Sequence, residues 1–187
     1  DRGPDSQGVI DTIFDLRDAG FKVHCLRGNH EQIFLDALHG GAQQIAVFLM
    51  NGGVETLRSF GVSRVEEVPL RYVYFMETLP YYLNLQDYLL VHAGFDFQAA
   101  DPFAKLHDMI WIREWYPFLN YEWLGNKTIV HGHTPIGEPQ IRKMQKNIAS
   151  ARVLNIDAGC VFERPTMGNL CAFDLDTQEL FFAPYVG

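Results

Sequence analysis

The apolar residues of this chain change their period at Pro80, and that switch constrains the fold more than any other feature. Before it the pattern is helical. Asp5 or Ser6 can cap a helix on which Val9, Ile10, Ile13, Phe14 and Leu16 share one broad face, and Gly20 supplies its stop. Residues 21–26 read as a strand that runs into a sharp Arg27-Gly28-Asn29-His30 loop. Helical pieces are predicted over 31–38, 43–50 and 54–60, punctuated by Gly40-Gly41 and Gly52-Gly53, with another over 70–78. After Pro80 short strands take over: a hairpin of 81–85 and 88–91 around Gln86-Asp87, then 127–130, 152–156, 169–173 and 179–183. A helix–strand unit, a helical insert and then mainly strands amount to a mixed α/β sandwich, with loops gathered at the strand ends. No repeat or linker divides the sequence, so all of 1–187 is expected to be one domain, with 40–78 a helical insert or cap.

Composition narrows the partners. Lys and Arg number 15 against 23 Asp and Glu, and the resulting charge of −8 repels phosphate backbones and anionic lipid. Neither a nucleic-acid partner nor a membrane is expected, although a small basic site for one phosphate remains compatible. Apolar runs such as 45–50 fall far short of the ~20 residues that cross a bilayer. Cys25, Cys160 and Cys171 are odd in number and widely spaced, which suits small buried residues in a reducing cytoplasm rather than a disulfide framework. Oligomeric state leaves no trace in the pattern. The opening Asp1-Arg2-Gly3-Pro4, without Met, reads as cut from something longer.

Four polar clusters sit in loops: Asp1-Arg2-Gly3, Gly28-Asn29-His30-Glu31, His92-Ala93-Gly94 and Gly132-His133-Thr134-Pro135. Three of them directly follow a predicted strand, the position at which open α/β sheets place their sites. Singly, each has an ordinary explanation. Gly28-Asn29 could form a turn, His92 could be a hydrogen-bonded core residue, and Asp1-Arg2 could be a salt-bridged terminus. His131-Gly132-His133 says more, because glycine lets backbone approach closely while two imidazoles flank it. His24, His39 and His107 lack such a context and read as structural or surface residues, and Trp111, Trp115 and Trp123 as core or rim aromatics.

Taken jointly and in this order, Asp-Arg-Gly, Gly-Asn-His-Glu, Val-His-Ala-Gly and Gly-His-Thr-Pro resemble the calcineurin-like metallophosphoesterases. The resemblance is closest to the bacterial and phage branch of the phosphoprotein (Ser/Thr) phosphatases. Ile110-Trp111-Ile112-Arg113-Glu114 and Asn155-Ile156-Asp157-Ala158-Gly159 are similar to that branch as well. The resemblance implies a two-metal hydrolase of phosphoproteins, phosphopeptides or small phosphoesters. Asn29, His92 and His133 would be ligands of one metal, Mn foremost, with Fe or Zn as alternatives suited to oxygen and imidazole donors. His30 would be the general acid. Asp1 would orient it and raise its pKa, keeping it protonated near neutrality. Arg2 and Arg113, with Asn29, would contact the phosphate. His131 would be structural or supporting.

The family's Asp-x-His-Gly loop and Gly-Asp pair are absent from these residues. They supply the other metal's ligands and the bridging carboxylate. A strand–helix–strand unit of about 30 residues is therefore expected upstream, without which the chain would bind metal weakly, turn over slowly or not at all, and expose sheet edges. Alternatives are a dinucleoside polyphosphate hydrolase sharing the metal core, and a non-catalytic binding or scaffold domain.

Overall fold

The computed structural model describes residues 1–186. They group into two compact units, Asp1–Pro80 and Tyr81–Gly187.

The first unit is helical. Helix α1 (Ser6–Asp18) starts where the Asp5 carboxylate accepts the Gly8 N–H at 2.8 Å, and it ends ahead of Gly20, whose φ of +90° suits only glycine. Helix α2 (Asn29–His39) buries Ile33, Phe34, Leu35 and Ala37. The insert supplies α3 (Ala42–Phe48), α4 (Val54–Ser59) and α5 (Leu70–Glu77), close to the predicted helices. Phe14 of α1 meets the Phe75 ring of α5 edge-on at 5.4 Å. Beside it the Tyr72 hydroxyl donates to Asp11 at 2.7 Å.

Residues 21–26 form neither a strand nor a helix. A strand exists by its ladder, and among the described residues none pairs with this segment. Its hydrogen bonds are local ones: Arg17 Nε donates to the Val23 carbonyl at 3.0 Å and the Val23 N–H to the Phe21 carbonyl at 3.1 Å.

The second unit is built on a four-stranded sheet in the order β1 (Tyr82–Asn84), β2 (Tyr88–Val91), β3 (Thr128–His131), β4 (Val153–Asn155). The first pair is the expected hairpin; β2, β3 and β4 run parallel. Parallel neighbours need long crossovers, and these carry helices that the sequence pattern did not announce: α6 (Leu106–Trp111), α7 (Tyr121–Leu124), α8 (Glu138–Lys146) and α9 (Ile148–Ala151). "Mainly strands" is thus corrected to strands alternating with helices. Three of the four span only six residues or fewer, too short to display a period. The fourth, α8, buries only Ile141.

Alternation along the sheet divides the core in two. Leu89, Val91, Ile129 and Val153 face one cluster with Phe95, Met109, Trp115 and Leu124. Tyr88, Val130 and Leu154 face the other, with Ile141 and Ile148. A second sheet, the hairpin β5 (Asn169–Phe173) and β6 (Leu180–Pro184), lays Cys171, Phe173, Leu180 and Phe182 over that second face. The α/β sandwich expected from the sequence is therefore present, and the ends of β2, β3 and β4 emerge side by side.

Candidate active site

Each unit holds its own group of candidate residues. In the first, Gly28 precedes α2, and its N–H is accepted by Glu31 Oε2 at 2.7 Å, which starts the helix beneath Asn29 and His30. Asn29 is buried and His30 half-buried, while Arg2 is exposed. Asp1 and His30 pair: His30 Nδ1 lies 2.7 Å from the Asp1 carboxylate. The insert reaches this pair. Between α3 and α4, Gly52 adopts φ +105°, and a Cβ there would stand 2.7 Å from the Asp1 carbonyl oxygen. Only glycine fits. Sequence reasoning marked Gly52 as punctuation and missed that contact.

The charge balance at His30 differs from the expected one. Burial holds the imidazole below its ordinary pKa, and the Arg2 guanidinium acts in the same direction, against Glu31 and a backbone hydrogen bond at Asn51 that raise it. Desolvation outweighs the favourable terms. Asp1 thus orients a ring that is easier to deprotonate than a free histidine.

In the second unit the site forms where the parallel strands end. His92 follows β2, and His133 follows β3 by two residues. His92 Nε2 and His133 Nδ1 are 3.1 Å apart. His133 has φ +69°, an uncommon angle for a residue with a side chain. Two nitrogens bound at right angles to one ion, each about 2.1 Å from it, would stand about 3.0 Å apart, so the imidazole pair fits a shared metal. Among the described residues no three His, Cys, Asp or Glu side chains gather as a metal cluster; the set read from the sequence has two histidines and an asparagine.

Arg113 is exposed, its Nη1 3.3 Å from Thr134 Oγ1 and 3.5 Å from the His133 carbonyl. Asn155, at the end of β4, donates from Nδ2 to the Thr134 carbonyl at 2.8 Å and accepts the Asp157 N–H on Oδ1 at 2.8 Å. That double bond to neighbouring loops explains an asparagine there. His131, 4% exposed, turns into the core rather than flanking the site beside His133. Burial lowers its pKa to about 4 and raises that of its partner Tyr116 to about 12. Tyr116 was missed by sequence reasoning, since nothing near it has a motif's spacing. Of the tryptophans, Trp115 is core, as expected, and Trp123 packs on Phe95, Phe97 and Phe103. His39 is exposed beside Glu77, and His107 stacks on Trp111 at the surface.

Comparison with known proteins identifies the family. The family model for calcineurin-like phosphoesterase matches residues 1–171. Serine/threonine-protein phosphatase 1 of Salmonella typhimurium is 29% identical over 87% of this chain and 70% of its own length. The asymmetrical bis(5'-nucleosyl)-tetraphosphatase PrpE of Bacillus subtilis is also 29% identical, over 90% of this chain and 70% of its own. PrpE of a Geobacillus strain is 26% identical over 98% and 75%. No solved structure matches the chain significantly. Ligand-type residues at the ends of parallel strands and a family match across nearly the whole sequence lead to one assignment: the chain belongs to the calcineurin-like phosphoesterases.

Proposed function

We propose that the protein is a Ser/Thr-type phosphatase, hydrolysing phosphomonoesters of proteins, peptides or small molecules within one metallophosphoesterase domain. The observation that carries this is the His92–His133 nitrogen pair, 3.1 Å apart beyond adjacent parallel strands. With Asn29 these residues would hold one of two divalent ions, Mn foremost. Such a centre supplies an activated water and neutralises the phosphoryl oxygens. Arg2 and Arg113 bind those oxygens through planar, multiply donating guanidinium groups. Asp1 accepts a hydrogen bond from His30 Nδ1–H and so directs Nε2, which in the protonated imidazolium carries the proton for the departing alkoxide, toward it. Three free cysteines among the described residues suit a reducing cytoplasm, and among those residues no helix is long and apolar enough to cross a membrane.

Hydrolysis of dinucleoside polyphosphates is the second reading, favoured by the two PrpE relatives. The strings Asp-Arg-Gly-Pro-Asp-Ser and Gly-His-Thr-Pro favour the phosphatase. The separating experiment is a parallel assay of phosphoserine peptides and diadenosine tetraphosphate with Mn. It is run on this chain and on one extended upstream by the family's Asp-x-His-Gly and Gly-Asp segment. Peptide dephosphorylation is expected, fastest in the extended form. Exclusive cleavage of the dinucleotide selects the second reading, and inertness of both forms with several metals leaves a binding domain.

A further inference from the structure

Arg113 is poorly secured by its own side chain. It is exposed, and its contacts to the His133 carbonyl and Thr134 Oγ1, at 3.5 and 3.3 Å, are long for hydrogen bonds. A flexible arginine binds phosphate well only if its backbone is already in place, because each ångström of misplacement weakens oriented contacts. Two aromatic residues just beyond it, Trp115 and Tyr116, secure it. Trp115 is 1% exposed and donates Nε1–H to the Ala93 carbonyl at 3.1 Å, one residue after His92. The fit is close enough that a Cβ on Gly94 would overlap the indole, 2.1 Å from Nε1.

Tyr116 reaches the other loop. Its ring flank is exposed, but its hydroxyl lies 2.6 Å from His131 Nε2, two residues before His133. The direction of that bond follows from the far side of the ring. His131 Nδ1 faces the Gly132 carbonyl at 3.0 Å, and a carbonyl only accepts, so Nδ1 carries the hydrogen and Nε2 the lone pair. Tyr116 donates. The Trp115 indole also meets the His131 ring at 5.1 Å.

We propose that Trp115-Tyr116 is the positioning element of Arg113, tying the loop that carries this arginine to the His92 loop through Ala93 and to the His133 strand through His131. Tyr116 is thus a positioning residue. The inference rests on the assignment of Arg113 to phosphate. It differs from a simple packing role in one respect: Tyr116 acts through Arg113, so the two must be energetically coupled.

The test is a double-mutant cycle of Tyr116→Phe and Arg113→Ala, reading inorganic phosphate affinity of the Mn-loaded protein by calorimetry, with p-nitrophenyl phosphate turnover alongside. Tyr116→Phe alone is expected to weaken phosphate binding about fivefold to tenfold, chiefly a KM effect in turnover, and less than twofold in the Arg113→Ala background. Equal weakening in both backgrounds, or none in the wild type, overturns the inference. So does phosphate affinity indifferent to Arg113→Ala. Phosphate binding without turnover overturns the functional reading instead, and the cycle still decides the positioning role. Where Tyr116→Phe destabilises the fold, the pair Tyr116→Phe with His131→Phe removes both polar partners together and carries the same cycle.

Discussion

His30 sits between opposing influences: a carboxylate 2.7 Å from Nδ1, and burial beside the Arg2 guanidinium that holds its pKa down. A general acid in that setting matters most when the leaving group cannot depart unprotonated. His30→Asn is therefore expected to cut turnover of alkyl phosphates about 10²-fold or more, and of p-nitrophenyl phosphate far less. Bound Mn should be unchanged by atomic absorption; an equal loss of metal would reassign His30 to a ligand role. A second residue-scale expectation concerns Cys171, whose thiol burial pushes up to about 11. Only about one molecule in 10³ is then thiolate at pH 8, against roughly a quarter for a free thiol. Iodoacetamide should label Cys171 about 10²-fold more slowly than free cysteine, with the rate rising until the pH nears 11. Labelling at the free-thiol rate would contradict the packing of β5. The clusters holding Asn29, His92 and His133 stand out in the sequence only jointly, because each alone has an ordinary explanation while four short polar strings in a fixed order are restrictive. Tyr116 and Asn155 act through hydrogen bonds to residues 15 and 21 positions away, and no local pattern encodes such distances.

At the scale of elements, the helices with caps and glycine stops were readable, α1 most clearly, since Asp5 and Gly20 do what their local chemistry dictates. Residues 21–26 show the opposite case. Their alternation suits a strand, but a ladder partner is a property of the rest of the fold. Short crossover helices were invisible for the same reason: packing against the sheet stabilises them, not their own period. The buried four-stranded sheet and the outer face of the β5–β6 hairpin make a prediction. Ile129 is 0% exposed in the first core cluster, whereas Leu170 on the outer face of β5 is 65% exposed. Ile129→Ala should cost about 2–5 kcal/mol in urea unfolding and Leu170→Ala about 0.5 kcal/mol or less. Similar costs would mean that the faces are misassigned.

For the molecule as a whole, a charge of −8 describes the surface and not the site, where the proposal places two arginines and divalent ions. Family membership was legible because four short clusters in a fixed order are far more restrictive than any one of them. Substrate class was not, since relatives named for protein phosphatase and for tetraphosphatase activity are equally similar, each 29% identical, and both chemistries need the same ligand types. The proposed function stands on His92 and His133 holding a metal on which phosphoester hydrolysis depends. The most direct measurement is Mn stoichiometry together with p-nitrophenyl phosphate turnover for the wild type and for His92→Ala and His133→Ala, before and after chelation. Bound Mn should fall and turnover disappear in both variants, both should be lost on chelation, and both should return to the wild type when Mn is restored. Turnover that persists in the chelated wild type, or variants that keep full Mn occupancy, would rule out a metal at His92 and His133 as the source of activity.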